Sequence, residues 1–345
     1  MTPAIILAGA HVWGRDTWDA LCPRPLLPIT NEPLVRHTLR WLRDSGVRTV
    51  AVCANDTTVA LQSALGEGAA DEVELIYYVD RTPRGPAGCC CDAASLLTGD
   101  HCVVVDGSVL PSVDLLAVLR AHVRAGAAAT VVADEPEDAV GGEHSLKPAG
   151  IYVFARRALE LVGPTGYQDI KEVLIPRLRR EREPVLAYRA RRPTLRVQSL
   201  AGYLTAQAWS LGHAYAGGRA PDGYVHQRGA LVHESARVDS EARVLGEVMI
   251  GPDTAVAPGA IVVGPTVIGG GCAVEADSVV GRSVLWDGCH VASGARVDLC
   301  VVAHGVGVPH GAAAYRTVWQ GPGTADHGAR RERRGASYDL VNVRR

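Results

Sequence analysis

The chain has 345 residues with a formal net charge of −2 at pH 7, and 47% of its residues are hydrophobic. This length predicts two domains, and the near-zero charge excludes the strongly basic surface of a nucleic-acid-binding protein. No apolar run is long enough to span a bilayer, and no basic segment precedes the apolar run at residues 4–8. We therefore expect a cytoplasmic protein without membrane or nucleic-acid partners.

Strand-like and helix-like segments alternate over the first two hundred residues. Apolar runs of strand length lie at 4–8, 49–54, 73–79, 101–107 and 128–133. Segments with helical spacing of apolar residues separate them, at 33–46, 87–99 and 112–127. This alternation predicts an α/β domain over residues 1–203, Rossmann-like, with a mostly parallel sheet and its ligand site beyond the carboxyl ends of the strands.

The cysteines are expected to be reduced. Three of the nine are consecutive, Cys89, Cys90 and Cys91, and neighbouring side chains in a helix or strand point apart. They suit neither a disulfide framework nor a CxxC metal site. We interpret them as small residues of a core.

A six-residue repeat begins near residue 228. Its aliphatic positions are Val232, Val238, Val244, Ile250, Val256, Val262, Ile268, Val274 and Val280, and a second register continues at Leu285, Val291 and Val297. This period predicts a left-handed parallel β-helix of hexapeptide repeats over 228–312, with about four coils. Residues 204–227 are then a connecting segment, and 313–345 a basic C-terminal tail.

Several motifs resemble one known family. Residues 7–25 align without a gap to its phosphate loop, L-A-G-G-x-G-T-R-L-x-P-L-T-x-x-x-P-K-P, and 83–88 resemble its base-recognition loop. Residues 103–115 and 148–154 resemble its N-G-D strand end and its N-A-G-I-Y strand. Followed by a β-helix, this arrangement is similar to the sugar-1-phosphate nucleotidyltransferases (NDP-sugar pyrophosphorylases), above all the mannose-1-phosphate guanylyltransferase-like branch.

The resemblance implies two sets of binding residues. The nucleotide-binding positions are Ala8, Gly9, Ala10, Asp80, Gly85, Ala87 and Gly88. The sugar-binding positions are Lys147 and Gly150.

The same alignment implies that the catalytic motifs are degenerate. Loop glycines are replaced by Ala10 and Val12, and Arg24 stands in place of the signature lysine. The two metal-binding aspartates of the family correspond to Ser108 and Arg196, and a guanidinium repels a divalent cation. We therefore expect no metal site and no cofactor. The substitute catalytic candidates are Arg15, Arg24 and Asp106.

Three functional hypotheses follow. The leading one is a non-catalytic regulatory or scaffolding homologue that retains a nucleotide or NDP-sugar site, as a homo-oligomer or in complex with an active nucleotidyltransferase. The second is a divergent, Mg²⁺-dependent enzyme that makes an NDP-sugar from NTP and sugar 1-phosphate. The third is acyl transfer by the β-helix, with His290, His304 or His310 as base.

Overall fold

The structure is a computed structural model that describes residues 2–9, 22–55, 58–80, 83–134, 147–191, 194–217 and 220–321. The strands of the N-terminal region are β1 Ala4–Leu7, β2 Pro28–Ile29, β3 Glu32–Pro33, β4 Thr49–Ala54, β5 Glu74–Val79, β6 His101–Asp106, β7 Val109–Leu110, β8 Ala129–Asp134, β9 Lys147–Ala155, β10 Val185–Arg189 and β11 Leu195–Arg196. The α-helices are Leu34–Asp44, Thr58–Leu65, Pro86–Ala94, Leu115–Arg124, Arg156–Leu159, Ile175–Arg180 and Leu200–Ala216. Short 3₁₀ turns lie at Arg24–Leu26 and Ala69–Asp71, and a π-helical turn at Ile170–Leu174.

The predicted Rossmann-like sheet is confirmed. Its seven strands lie in the order β10-β8-β9-β6-β1-β4-β5, and every neighbouring pair is parallel except the two that involve β9. Alternate residues of β1 face opposite sides: Ile6 packs under one helical layer and Ile5 under the other. The carboxyl ends of β1, β4, β5 and β6 therefore meet at one edge, together with the start of the antiparallel β9.

The predicted hexapeptide β-helix is also confirmed. Its strands are β12 Tyr224–Gln227, β13 Ala230–His233, β14 Arg237–Val238, β15 Arg243–Leu245, β16 Val248–Ile250, β17 Ala255–Val256, β18 Ile261–Val263, β19 Thr266–Ile268, β20 Ala273–Val274, β21 Val279–Gly281, β22 Val284–Leu285, β23 His290–Val291, β24 Arg296–Asp298, β25 Val301–Val302, β26 Gly307–Val308, β27 Ala313–Tyr315 and β28 Val318–Trp319. Every third strand pairs in parallel, which forms three sheets, the sides of a triangular coil. Only β12 joins its sheet antiparallel.

The β-helix is longer than predicted. Five complete coils are formed, one more than expected, and the last strands, β27 and β28, lie beyond the expected end at residue 312. The buried Ala314 continues the six-residue spacing of Val302 and Val308, but a single alanine is a weak sequence signal for the repeat. Both strands pair with the coil before them, and Val318 and Trp319 pack against the same hydrophobic cluster.

The helix Leu200–Ala216 joins the two regions and begins four residues before the predicted connecting segment. Its buried face belongs to the same hydrophobic cluster as Leu27 and Ile29 of the N-terminal region and Val248 and Ile250 of the β-helix. The two regions therefore share one continuous core across this helix. No helix within the described residues is long and apolar enough to cross a membrane.

Two of the three consecutive cysteines, Cys89 and Cys90, are buried in the core as predicted, whereas Cys91 is only partly buried. All nine lie within the described residues as free thiols. Cys89 and Cys90 sit in the helix Pro86–Ala94 and pack, with Cys53 and Cys102, between that helix and the sheet.

Candidate functional site

A cleft of about 390 Å³ opens at the carboxyl edge of the N-terminal sheet. Its walls come from the ends of β1, β4, β5 and β6, from the turn Arg24–Leu26, and from three segments that arrive from later in the chain. Those segments contribute Tyr152, residues 167–171, and Arg196 with Gln198. This is the position that parallel α/β folds offer to a ligand.

Gly9 lies where β1 leaves the sheet, against the side chain of Asn55 from the end of β4. A Cβ atom at Gly9 would lie 2.6 Å from Oδ1 of Asn55, so only glycine leaves the amide in this position. Both residues line the cleft. Asn55 was not among the predicted residues.

The loop before the helix Pro86–Ala94 packs against the segment 163–168. Gly85 has φ +85°, and a Cβ atom there would lie 2.8 Å from the carbonyl of Gln168. The N–H of Ala87 donates to the same carbonyl at 2.9 Å. Close backbone approach, which requires glycine, therefore brings Tyr167 and its neighbours to the cleft.

Asp106 ends β6 and is engaged by its own turn. Its Oδ1 accepts hydrogen bonds from the N–H of Ser108 at 2.9 Å and from the hydroxyl of Ser108 at 2.8 Å. Ser108 itself is buried. One carboxylate oxygen of Asp106 thus stabilises the strand-to-turn geometry, as is common for aspartate in turns.

Arg196 reaches the cleft through a two-stranded ribbon. It pairs with Val109 in the antiparallel contact between β11 and β7, and the next N–H, of Val197, donates to the carbonyl of Ser108 at 2.9 Å. Its Nη2 donates to the carbonyl of Pro148 at 2.8 Å. The guanidinium is therefore held against the start of β9, from a residue that the sequence predicts to replace a metal-binding aspartate.

Tyr152 lies on β9 in the middle of these charges. Burial raises the pKa of its hydroxyl, and Asp106 and Asp169 act in the same direction while Arg196 opposes them. At neutral pH the phenol is protonated, so Tyr152 offers a hydrogen-bond donor and no charge to the cleft.

The segment after Tyr167 contributes two further charges. Asp169 begins the π-helical turn, and its Oδ1 accepts from the N–H groups of Lys171 and Glu172 at 2.6 and 2.9 Å. The exposed Lys171 side chain lines the cleft. Because Lys171 belongs to no local motif, sequence reasoning missed it. Its one distinguishing feature was that the chain has only two lysines.

Most of the predicted residues come together. Ala8, Gly9, Arg24, Asp80, Gly85, Asp106, Ser108 and Arg196 all line the cleft. Four others do not. Ala87 and Gly88 form the first turn of the helix behind the loop, Lys147 is exposed at the start of β9, and Gly150 lies behind Arg196. Ala10 and Arg15, together with Val12, lie outside the described residues.

The histidines considered for acyl transfer lie on the β-helix. Nε2 of His290 is 2.6 Å from Oε1 of Glu275, and the ring of His304 packs on that of Trp286 with 4.9 Å between centroids. His310 is exposed. The three do not converge on the cleft described above, and none of them lines it.

The residues of the cleft do not fit a magnesium ion held by two carboxylates. At the two positions where the sequence predicts replaced metal-binding aspartates, the hydroxyl of Ser108 donates its hydrogen bond to Asp106, and Arg196 carries a positive charge. Magnesium prefers carboxylate oxygens and an octahedral shell of oxygen ligands. The described residues hold no group of three or more His, Cys, Asp and Glu side chains that meets at a metal site.

Two family models match the chain. The model "Nucleotidyl transferase" matches residues 20–141, and the model "GlmU-like, C-terminal hexapeptide" matches residues 235–316. The first covers much of the sheet that forms the cleft, and the second covers most of the β-helix.

Relatives with assigned names point the same way. A mannose-1-phosphate guanylyltransferase of Mycobacterium tuberculosis is 26% identical over 293 residues, which is 79% of this chain and 76% of that protein. A mannose-1-phosphate guanylyltransferase catalytic subunit beta of Drosophila pseudoobscura pseudoobscura is 29% identical over 50% of this chain and 53% of its own length. An N-acetylmuramate alpha-1-phosphate uridylyltransferase of Neisseria meningitidis is 30% identical over 35% of this chain and 52% of its own length.

Among solved structures, a putative glucose-1-phosphate thymidylyltransferase from Bacillus anthracis in complex with a sucrose superposes with a TM-score of 0.54. The match covers 61% of this chain and 95% of that chain, at 17% sequence identity. At this identity the likeness shows the fold alone.

Proposed function

We propose a function from one premise, that this chain belongs to the sugar-1-phosphate nucleotidyltransferase family, with a nucleotidyl transferase domain followed by GlmU-like hexapeptide repeats. The chain is a non-catalytic member of that family. It binds a nucleotide or an NDP-sugar in the cleft, without turnover, and acts as a regulatory or scaffolding subunit.

A single observation carries this proposal: the guanidinium of Arg196 lies beside Asp106 where the family's chemistry needs a divalent cation. Nucleotidyl transfer builds negative charge on the phosphates, and Mg²⁺ neutralises it between two carboxylates. Here Ser108 and Arg196 stand at the two positions, and Oδ1 of Asp106 is already bonded to Ser108. Loss of one well-placed stabilising group costs about 10²–10³ in rate, so the loss of both carboxylates predicts negligible turnover.

The preserved framework supports a retained binding role. Gly9, Gly85 and Asp80 line the cleft with Tyr152, and Gly85 is required by its positive φ and its close contact with the carbonyl of Gln168. These contacts would hold the base and ribose without any need for the catalytic groups. The relatives named for guanylyl transfer make GDP-mannose the first ligand to test.

A partner subunit completes the proposal. Hexapeptide β-helices present flat side faces built of short strands, which suit packing against a second subunit. A relative is named as the catalytic subunit beta of its enzyme. We propose that this chain assembles with itself or with an active nucleotidyltransferase and reports ligand occupancy to it.

Calorimetric titration of a panel of NDP-sugars tests the proposal, with and without Mg²⁺, while pyrophosphate release from each NTP and sugar 1-phosphate is assayed in parallel. We expect saturable binding, no tightening by Mg²⁺ and no release. Steady Mg²⁺-dependent release that disappears in Asp106→Ala would instead establish the divergent enzyme.

A further inference from the structure

Arg196 is a firmly positioned cation of the cleft. Its backbone is fixed on both sides by the ribbon between β7 and β11, through the pairing with Val109 and the hydrogen bond from Val197 to Ser108. One donor of the guanidinium, Nη2, is bonded to the carbonyl of Pro148 at 2.8 Å. The planar group is therefore restrained in orientation before any ligand arrives, which reduces the entropy lost on binding.

Gly150 makes room for this guanidinium beside Asp106. A Cβ atom at Gly150 would lie 2.8 Å from Nη2 of Arg196 and 3.2 Å from Cβ of Asp106. These two distances place Nη2 at most about 6 Å from Cβ of Asp106. A positive charge is thus already present next to the strand end where a metal ion would have to bind.

The remaining donors of Arg196 are available to a ligand. Within the described part of the chain, the guanidinium makes no hydrogen bond other than that to Pro148 and no ion pair. Guanidinium groups present several N–H donors in one plane, a geometry that matches two oxygens of a phosphate.

Lys171 adds a second cation to the same cleft. Its backbone N–H is bonded to Asp169, but its ammonium forms no hydrogen bond or ion pair within the described residues. One oxygen of each of two nearby carboxylates is engaged: Oδ1 of Asp106 by Ser108, and Oδ1 of Asp169 by two backbone N–H groups.

We infer that Arg196, assisted by Lys171, binds the diphosphate of an esterified nucleoside diphosphate directly and takes the place of a divalent cation. This inference rests on the proposed function, because it assigns a metal-free mode of recognition to the same cleft. A guanidinium cannot rearrange a coordination shell as charge moves between the phosphates, and it cannot coordinate the attacking phosphate oxygen of a sugar 1-phosphate as a metal ion does. It therefore stabilises a bound diphosphate and does not support transfer.

The test measures binding of inorganic pyrophosphate and of GDP-mannose in EDTA by calorimetry. Arg196→Gln removes the charge and should weaken both ligands about tenfold or more, as expected for loss of charged hydrogen bonds. Arg196→Lys keeps the charge but lacks the planar guanidinium, so its affinity for each ligand should lie between those of wild type and Arg196→Gln. Arg237→Gln is the matched control, because Arg237 is an exposed arginine of the β-helix outside the cleft.

The affinities of the Arg196 variants either support or overturn the inference. Circular dichroism first establishes that the variants are folded, and Arg196→Lys provides a second reading if Arg196→Gln is not. The inference is supported if affinity in EDTA decreases from wild type to Arg196→Lys to Arg196→Gln, and if Lys171→Gln also weakens binding. It is overturned if Arg196→Gln binds as tightly as Arg237→Gln, or if Mg²⁺ tightens wild-type binding. In contrast, NTP turnover by the wild-type chain would overturn the proposed function itself, whatever the Arg196 variants do.

Discussion

Gly150 is the residue at which backbone conformation and cleft geometry are tied most closely. It has φ +83°, and an added Cβ would lie 2.8 Å from Nη2 of Arg196 and 3.0 Å from Cγ2 of Val109. We predict that Gly150→Ala lowers the free energy of unfolding by about 1–3 kcal/mol and also weakens pyrophosphate binding, because Arg196 is displaced. Urea denaturation and calorimetry measure the two effects.

Gly126→Ala is the matched control for that substitution. Gly126 also has a positive φ, +57°, but an added Cβ would meet nothing within 4 Å. It should lose stability through the backbone alone and keep the affinity of the cleft. Equal effects of the two variants on pyrophosphate affinity would show that Gly150 does not position Arg196.

Because His122 is buried, we predict that the protein loses folding stability in mild acid. It is fully buried, Nδ1 lies 2.7 Å from the hydroxyl of Thr130, and Nε2 lies 3.1 Å from Nδ1 of His101. Burial, with smaller contributions from His101 and Arg157, lowers the pKa of His122 from 6.5 to about 4. The unfolded chain therefore gains a proton near pH 6.5 that the folded chain takes up only near pH 4, so stability falls as the pH drops through this window.

Urea denaturation between pH 7.5 and 4.5 measures this effect. We expect wild type to lose about 1–3 kcal/mol over this range through His122, and His122→Asn to lose less. His310→Asn, an exposed histidine, should keep the wild-type slope. An unchanged slope in His122→Asn would contradict the assignment.

At this scale the sequence predicted the altered positions but not their surroundings. Ser108 and Arg196 were found because an alignment preserves order along the chain. Lys171 and Tyr152 were missed, because tertiary packing of the segment 163–171 against the loop at Gly85 brings Lys171 to the cleft and β9 brings Tyr152. No local pattern marks Lys171, whereas Tyr152 lies within residues 148–154, which resemble a family strand, but was not singled out as a site residue.

Among the elements, the β-helix was the most predictable, because its period is a direct consequence of stacking. Even the change of register after Val280 has a structural cause. The coil length falls from 18 residues between Leu231 and Met249 to 17 between Val284 and Val301. The shortened corner is turned by Arg282, Leu299 and Arg316, all with positive φ.

The helix Leu200–Ala216 was less predictable, because its role depends on contacts with two segments far from it in sequence, one in the N-terminal region and one in the β-helix. The hydroxyl of the buried Tyr203 donates to the carbonyl of Pro28 and accepts from Nε1 of Trp286 at 3.0 Å. Nε2 of Gln207 donates to the same carbonyl at 2.5 Å. These bonds connect the hairpin that follows Arg24 to the β-helix.

We predict that Tyr203→Phe lowers the free energy of unfolding by about 1–3 kcal/mol, because the buried N–H of Trp286 loses its acceptor. Urea denaturation followed by tryptophan fluorescence measures the loss. Tyr315→Phe is the control, because that side chain is 63% exposed, and it should change stability by less than about 0.5 kcal/mol. Equal stability of both variants would mean that the bond to Trp286 contributes nothing.

For the whole molecule, the fold is that of an enzyme family, whereas the residues of the cleft do not suit the metal-dependent reaction of that family. The two matched domains and the shared core identify the framework of a nucleotidyltransferase. The cleft within that framework holds the hydroxyl of Ser108 and the guanidinium of Arg196 where the sequence predicts the family's metal carboxylates. A framework depends on many apolar positions and is robust to single changes, whereas phosphoryl chemistry depends on a few charges. The fold therefore persists where the reaction is predicted to be lost.

The most direct measurement is the rate of pyrophosphate release by the purified chain, supplied with saturating Mg²⁺ and paired NTP and sugar 1-phosphate substrates, GTP with mannose 1-phosphate first. The account predicts a rate no higher than that of a protein-free blank for every pair, while GDP-mannose still binds. A Mg²⁺-dependent rate above the blank that is abolished by Asp106→Ala would contradict it.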